Sequence, residues 1–523
     1  MLARSCCRCV GRARLQPRPH RLSAVRVQNR SYSGSSAAPS PAQGAAKVGA
    51  LAPFASELDK LAPSIDLRGE QIQIIKTPAE FYETLKNRIR TAKNRIFLST
   101  LYIGKSEREL IVTLQEALRN NPDLKLSILT DALRGTREAP KPSCASLLAP
   151  LISEFGADRV EIRMYHTPNL TGMRKKYIPK RINEGWGLQH MKLYGVDDEI
   201  IMSGANLSLD YFTNRQDRYH LFKSKQVTDY FWRIHDGVGS FSFRVEPSDE
   251  SAGFSLAWPE TNSAPSPLVA LQAFIKSATS VLQPLLTRSQ AVSQEVTDTR
   301  VYLLGQMSQV MKPDPSTELP VITSILKRLA LPEYKSSSWT FTAGYFNPAP
   351  SLTKLLLGTA SSNNVVITAA PEANGFYKSP GVSGLLPDAY TLLARRFVHN
   401  VHHSGRSTDT ILREWRNGTV GQPGGWTYHA KGLWVTMPGD ANPAMSIIGS
   451  SNYTKRSYSH DLEVGALILT KDQALQRRLG EEQRWLQDHA QTMTRDDFAR
   501  NERRVGLKVR IAMWIVQLVG GAL

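Results

Sequence analysis

One short pattern occurs twice in this chain, and the duplication constrains its fold more than any other feature. "LQHMKLYGVDDEIIMSGAN" (Leu188–Asn206) sets His190 and Lys192 two residues apart and ends on Asn206. Roughly 240 residues later, "WTYHAKGLWV" sets His429 and Lys431 in the same spacing, and "AMSIIGSSN" ends on Asn452. The surrounding elements repeat too. "QIQIIK", "RIFLSTLYIG", "LKLSILTDA" and "VEIRMYH" read as strands and alternate with the amphipathic stretches "PAEFYETLKNRIRTAK", "SERELIVTLQEALRN" and "SCASLLAPLISEFG". After Thr299, "RVYLLGQ", "SWTFTAGYF" and "NVVITAAP" alternate with "LPVITSILKRLA", "APSLTKLLLG" and "LLPDAYTLLARRFVHNV" in the same order. Tyr102 precedes His190 by nearly the interval that separates Tyr345 from His429. Alternation of this kind specifies an α/β layered fold, here in two matching halves.

In a strand, residues i and i+2 face one side, so each His projects with its Lys. Each pair is followed by a second apolar strand, a glycine (Gly204, Gly449) and the Asn, whose amide can donate a hydrogen bond. Eleven residues past each Asn stands an acid, Asp217 in "NRQDRY" and Glu463 in "HDLEVG". A carboxylate beside an imidazole fixes its tautomer and orientation. Two such sets around a pseudo-twofold axis suit a phosphoryl centre. Ammonium and amide groups neutralise the non-bridging oxygens, one neutral His attacks phosphorus, and one protonated His serves the leaving group. Two imidazoles in opposite protonation states are a reason to build the motif twice.

The formal net charge of +19 first suggests nucleic acid or an anionic membrane. Its location changes that reading. No acid precedes Glu57, while eight arginines and Lys47 do, which leaves +10 for the rest. An acid-free, Arg- and Ser-rich N-terminus is the composition of a mitochondrial transit peptide, with "NRSYSGSS" resembling its processing site. No nucleic-acid partner is expected. Of four cysteines only Cys144 lies beyond this segment, which excludes an internal disulfide or a Cys-rich zinc site in a processed monomer. "RRVGLKVRIAMWIVQLVGGAL" ends in an apolar stretch too short to span a bilayer; it reads as an interfacial anchor or as a last helix on the core. The boundaries expected are a transit peptide and linker (1–45), a first half (46–245), a Ser/Pro/Thr-rich connection holding one helix (246–298), a second half (299–500) and the basic/apolar tail (501–523).

Basic residues outside the motif fit anionic substrates. They are Arg174, Lys175, Lys176, Lys180 and Arg181 in "MRKKYIPKR", Arg134 and Arg137 after a strand end in "DALRGTR", and Arg215, Arg218 and Arg456 beside the motif acids. A solvated basic loop is the other reading of the first group. His399, His402 and His403 in "HNVHH" lack a fourth ligand and read as surface histidines.

His-x-Lys-x4-Asp followed by a Gly-rich segment with Asn resembles the signature of the phospholipase D superfamily. The first copy carries His190, Lys192, Asp197 and Asn206. The second carries His429, Lys431 and Asn452, with Thr436 at the Asp position. The resemblance implies two phospholipase D-like α/β/α halves with the active site between them, and a catalytic set of His190, Lys192, Asp197, His429 and Lys431. Longer stretches, among them "HTPNLTGM", "IPKRINEGWGLQHMKLY", "SGANLSLDYFTNRQDRY" and "SNYTKRSYSHDLEVGALI", are similar to the mitochondrial branch that makes phosphatidylglycerophosphate for cardiolipin. That branch implies phosphatidyl transfer from CDP-diacylglycerol to glycerol 3-phosphate at the matrix face of the inner membrane. It implies His190 as nucleophile and His429 as acid and base, although pseudosymmetry permits the reverse. No cofactor is required by this chemistry; a divalent cation at the pyrophosphate and the oligomeric state stay open. Rival readings are a superfamily phospholipase or nuclease using water, and an inactive lipid-binding scaffold.

Overall fold

A run such as Arg95–Ser99 (RIFLS), buried at four of its five positions, is too apolar for a sheet with one wet face. Such strands need helices on both sides. The chain supplies them with stripes at helical spacing: Pro78–Arg90 starts at Thr77, whose side chain accepts from the Glu80 amide, and buries Phe81, Leu85 and Ile89 along one face. The computed structural model describes residues 49–179, 182–287 and 297–518. The expected transit peptide, Lys180 and Arg181 lie outside the described residues. Those from Val48 onward belong to one compact unit.

Two nine-stranded sheets form the frame. From Val160–Tyr165 the first runs through Lys125–Asp131, Arg95–Ser99, Leu193–Val196, Glu199–Ser203, Tyr219–Lys223 and Ile72–Ile75. From Thr410–Trp415 the second runs through Asn364–Ala369, Ser338–Ala343, Lys431–Thr436, Met445–Gly449, Glu463–Thr470 and Thr299–Gln306. In both, the first three strands are parallel and the rest antiparallel. The duplicated element order is therefore a duplicated mixed sheet.

Three hydrophobic cores give the layers. One packs outer helices on the first sheet, with Phe81, Leu114 and Leu148. Another does so on the second, with Val321, Leu352 and Phe397. The third lies between the sheets and draws on both, joining Phe97, Leu193 and Phe222 to Val301, Trp434 and Ile468 around helices Lys225–Gly239, Leu271–Leu286 and Gln473–Trp485.

Several pieces lie elsewhere than the sequence pattern suggests. Ser64–Leu67, within the stretch read as the first half, pairs antiparallel with Thr299–Gln306 in the second sheet. Arg300 clamps it through Asp59 at 2.9 Å and Asp66 at 2.7 Å. The stretch read as a connection contributes Phe254–Ala257 to the edge of the first sheet and Leu271–Leu286 to the shared core.

Two residues expected at the site serve the fold instead. Asp197 sits at φ 50° in the tight turn between Leu193–Val196 and Glu199–Ser203. Its carboxylate accepts from the amides of Lys93 (2.8 Å), Asn94 (2.7 Å) and Arg95 (3.1 Å). The second half replaces that turn with the longer loop 437–444, which explains why Thr436 suffices there. Arg218, expected to touch substrate, is fully buried between the halves. It donates to both oxygens of Glu482 (3.0 and 2.8 Å), to the Ile447 carbonyl (2.6 Å) and to Ser446 (2.7 Å), and it lies over Trp434. His220 Nε2 meets the same Glu482 at 2.9 Å.

These assignments order two variants. Glu482→Ala strands the Arg218 charge in the core and should cost about 3–5 kcal/mol. Asp197→Ala should cost about 1–3 kcal/mol, with the turnover of the folded fraction unchanged. Denaturant midpoints and activity per folded molecule check both; a collapse of turnover in folded Asp197→Ala would return that residue to the site.

Candidate active site

The two His-x-Lys strands reach the site by the same device. Leu188–His190 runs beside Leu462: the His190 amide donates to the Leu462 carbonyl (2.9 Å) and the Leu462 amide to the Leu188 carbonyl (2.8 Å). In the other half, Thr427–Tyr428 pairs in parallel with Arg215–Gln216, and the His429 amide donates to the Gln216 carbonyl (2.8 Å). Each histidine thus lies against the acid-bearing segment of the opposite half.

The acids consequently cross over. His190 Nδ1 lies 2.9 and 3.0 Å from the carboxylate oxygens of Glu463. His429 Nδ1 lies 2.7 Å from Asp217 Oδ2. With Nδ1–H donating to a carboxylate, Nε2 is left as the reactive nitrogen of each ring. Both imidazoles are buried, and both line a cavity of about 980 Å³.

The lysines stand behind the imidazoles rather than in the cavity wall. Lys192 donates to the His190 carbonyl at 2.7 Å. Lys431 Nζ lies 2.7 Å from His429 Nδ1 and 3.2 Å from Asp217. Gly204 makes room for it: a Cβ there would meet the Lys431 ammonium at 2.2 Å and Asp217 at 2.8 Å. Asn206 and Asn452 do line the cavity. Asn206 Nδ2 donates to the Tyr211 hydroxyl at 3.2 Å, whereas the buried Asn452 Oδ1 has no hydrogen-bond partner among the described residues.

The electrostatics separate the two dyads. Burial pushes Glu463 from its usual 4.5 up to about 7, against the charge of Lys192. Burial also pushes Asp217 upward, but the Lys431 charge and the His429 hydrogen bond outweigh it and hold Asp217 below its ordinary value. Burial and the adjacent lysine drive each imidazole well below the usual histidine range. Burial brings Lys192 down to about 7. The resting site holds two neutral imidazoles, one on a firm anion and one on a carboxyl that titrates near neutrality.

The other basic candidates divide. Arg134, Arg137, Arg215 and Arg456 line the cavity. Arg134 lies over the Tyr102 ring at 4.4 Å, Arg137 pairs with Glu184, Arg215 with Asp210 (2.8 Å) and Arg456 with Asp461 (3.0 Å). Arg174, Lys175 and Lys176 are exposed on helix Gly172–Tyr177 and do not line it. Among the described residues no cluster of three His, Cys, Asp or Glu side chains is placed to hold a metal ion; His399 and His403 meet each other at 2.9 Å on the exposed face of helix Leu386–His403.

The sequence reading missed the aromatic walls. Tyr345 and Tyr211 stand edge-on to His429, at 5.1 and 5.2 Å between ring centroids, and Tyr390 stacks on Tyr345. The matched positions of Tyr102 and Tyr345 before the two motifs were the available signal; nothing marked Tyr211, Tyr390 or Trp186, which converge only in three dimensions.

No family model matches the chain. It is 44% identical to the CDP-diacylglycerol–glycerol-3-phosphate 3-phosphatidyltransferase of Saccharomyces pastorianus over 84% of this chain and 87% of that protein. With the enzyme of the same name from Saccharomyces cerevisiae it is 42% identical over 89% and 92%. With the mitochondrial human enzyme of that name it is 32% identical over 87% and 84%. In fold it is similar to the phosphatidylserine synthase of Haemophilus influenzae Rd KW20, with a TM-score of 0.68 and 20% identity, covering 90% of this chain and 97% of that one. Paired imidazoles crossed between duplicated halves and relatives that match along nearly the whole length agree: the chain belongs to the CDP-diacylglycerol–glycerol-3-phosphate 3-phosphatidyltransferase family.

Proposed function

We propose that this phosphatidyltransferase moves the phosphatidyl group of CDP-diacylglycerol to glycerol 3-phosphate in two displacements, through a phosphatidyl-histidine. The observation that carries this reading is the pair of imidazoles in one cavity, each fixed at Nδ1 by the other half's carboxylate. His190 Nε2 attacks the phosphatidyl phosphorus. With the pyrophosphate bound, His429 Nε2 takes up a proton from solvent; the bond to CMP then breaks with its electron pair on the departing oxygen, which receives that proton. Neutral His429 then takes the proton of the glycerol 3-phosphate hydroxyl, that oxygen attacks phosphorus, and the P–N electron pair returns to His190. Asn206 and Asn452, in the cavity wall, face the phosphoryl oxygens, and Lys192 and Lys431 add positive potential from behind the imidazoles. The dyads favour this division of labour. Ionised Asp217 supports the imidazolium that His429 becomes, and the pyrophosphate charge raises its proton affinity further. Burial and Lys192 hold His190 neutral, and Glu463, ionised above about 7, accepts its Nδ1–H and leaves Nε2 free for attack. These steps draw on no metal or organic cofactor.

The lipid substrate sets the enzyme's location. No helix among the described residues is long and apolar enough to cross a membrane. Helix Leu507–Leu518 packs Val509 and Met513 against Ala389 and its neighbours, and leaves Leu507, Ile511 and Trp514 exposed near Lys508 and Arg510. One face is that of a last helix packed on the core; to the other, exposed face we assign the interfacial anchor. It lies beside Leu385, next to the cavity-lining Ser383 and Leu386; another part of the lining is Ile182, which is exposed and follows the exposed Met173, Tyr177 and basic Arg174–Lys176. We place this surface on anionic bilayer, at the matrix face of the mitochondrial inner membrane. The mitochondrial names of the animal relatives support the compartment.

Three outcomes test the reading. Quenched incubation with lipid-labelled CDP-diacylglycerol should label the His190 peptide, and His190→Gln should cost more than the roughly 10²–10⁴-fold of acid–base assistance. Label on the His429 peptide would reverse the roles, and CMP release at the same rate with and without glycerol 3-phosphate would point to a hydrolase. Glu463, with its pKa raised from 4.5 to about 7, contributes stability that is fully present below about pH 4.5 and lost as pH rises through about 7. Glu463→Gln should therefore flatten the fall in urea midpoint between pH 5 and 8; an unchanged slope would assign it to other groups. Ile511→Ser/Trp514→Ser should weaken sedimentation with phosphatidylglycerol-containing vesicles several-fold while sparing activity in mixed micelles.

A further inference from the structure

The two halves differ at the positions that follow their asparagines. Five residues beyond Asn206 and Asn452 stand Tyr211 and Ser457; nine residues beyond stand Arg215 and Asp461. Arg215 belongs to the short strand that pairs with Thr427–Tyr428, immediately before His429. Its Nε donates to Thr427 Oγ1 at 3.0 Å, and its guanidinium lies 4.5 Å over the Tyr211 ring. The hydroxyl of that tyrosine lies 3.4 Å from His429 Nε2. Backbone clears the space on another side: a Cβ at Gly375 would meet Arg215 Nη2 at 2.7 Å and the Tyr345 hydroxyl at 3.0 Å. The result is a planar cation in the cavity wall, backed by the aromatic face of the tyrosine whose hydroxyl meets the reactive nitrogen of His429.

Its present partner is displaceable. Asp210 is 39% exposed at the side chain, so the 2.8 Å pair is screened by water. In the other half, Arg456 is paired with Asp461, which is 5% exposed and is held further by the Leu188 amide at 3.0 Å. Asp210 also accepts from Ser208 Oγ at 2.6 Å, but it is the more exposed of the two acids, so the pair beside His429 opens toward a ligand more readily.

We propose that Arg215 is the seat of a phosphate monoester, occupied first by departing CMP and then by incoming glycerol 3-phosphate. The inference rests on the two-displacement course above. Attack by His190 expels CMP on the opposite side of phosphorus, where His429 protonates it. The acceptor must approach along that same line to displace His190. Both molecules carry an anionic phosphate monoester, and both pass the arginine that backs onto Tyr211 beside His429. A guanidinium with one edge on Thr427 keeps another for bidentate phosphate recognition. A single displacement would instead put acceptor and CMP on opposite sides of phosphorus, and one seat could not serve both.

Steady-state kinetics of the full-length enzyme in mixed micelles, with CDP-diacylglycerol, glycerol 3-phosphate and added CMP, test this. Arg215→Gln should raise the KM for glycerol 3-phosphate and the inhibition constant for CMP in parallel, each by about 10–100-fold, the worth of a charge-assisted hydrogen bond. The fall in kcat should be smaller than the rise in KM. Arg215→Lys keeps the charge without the fork and should shift both constants less; it also carries the test if Arg215→Gln fails to fold. Both constants staying within about twofold of wild type in a folded variant would overturn the seat. Movement of only one would overturn its shared use and identify which phosphate it holds. Quenched reactions without acceptor keep the two ideas apart. Absence of labelled protein in wild type refutes the covalent course, whereas label with unshifted constants in Arg215→Gln refutes the seat alone.

Discussion

Neither half of this molecule can complete its own site. His190 takes its carboxylate from Glu463 and His429 takes its carboxylate from Asp217, each across the junction. Four buried titratable side chains are involved, and a buried charge without a partner is costly. Separating the halves would leave two imidazoles unanchored and two carboxyls unpaired. The same logic runs behind the site, where Arg218 from one half spends its donors on Glu482, Ser446 and the Ile447 carbonyl of the other. The polar network and the shared hydrophobic layer thus impose one arrangement.

That arrangement puts chemistry where parallel strands end. Tyr102 follows Arg95–Ser99, Arg134 and Arg137 follow Lys125–Asp131, and Tyr345 follows Ser338–Ala343. All line the same cavity as the two histidines, in keeping with the tendency of α/β sheets to bind ligands at the carboxyl ends of their strands. The antiparallel strands after each motif bring the asparagines and acids back to the same end. Duplication supplies the components; the crossing of segments 188–190 and 427–429 onto their opposite numbers joins them.

Pseudosymmetry stops short of equivalence. Asp217 is held down by Lys431, while Glu463 is pushed up by burial. Tyr211 and Arg215 stand where the other half has Ser457 and Asp461. One nearly symmetric scaffold therefore presents two histidines with different surroundings, as a reaction with distinct attacking and proton-transferring groups requires.

Much of this was legible in the sequence because period and spacing are local properties. Apolar runs and helical stripes marked the strands and helices, two-residue spacing put each His and Lys on one face, and the acid eleven residues past each Asn marked the orienting groups. Which acid meets which histidine was not legible, since it depends on segments more than 200 residues apart meeting in space. The same holds for Ser64–Leu67, whose side chains give no sign that its hydrogen-bond partner is Thr299–Gln306. Asp197 and Arg218 carried the residue types of a site, yet a tight turn claimed the first and the junction between halves claimed the second. Sequence by itself determined the repeated elements and the chemistry they carry. Tertiary structure decided which charges are buried, and so which of those groups must pair and which remain free for substrate, because burial and pairing are properties of the packed whole.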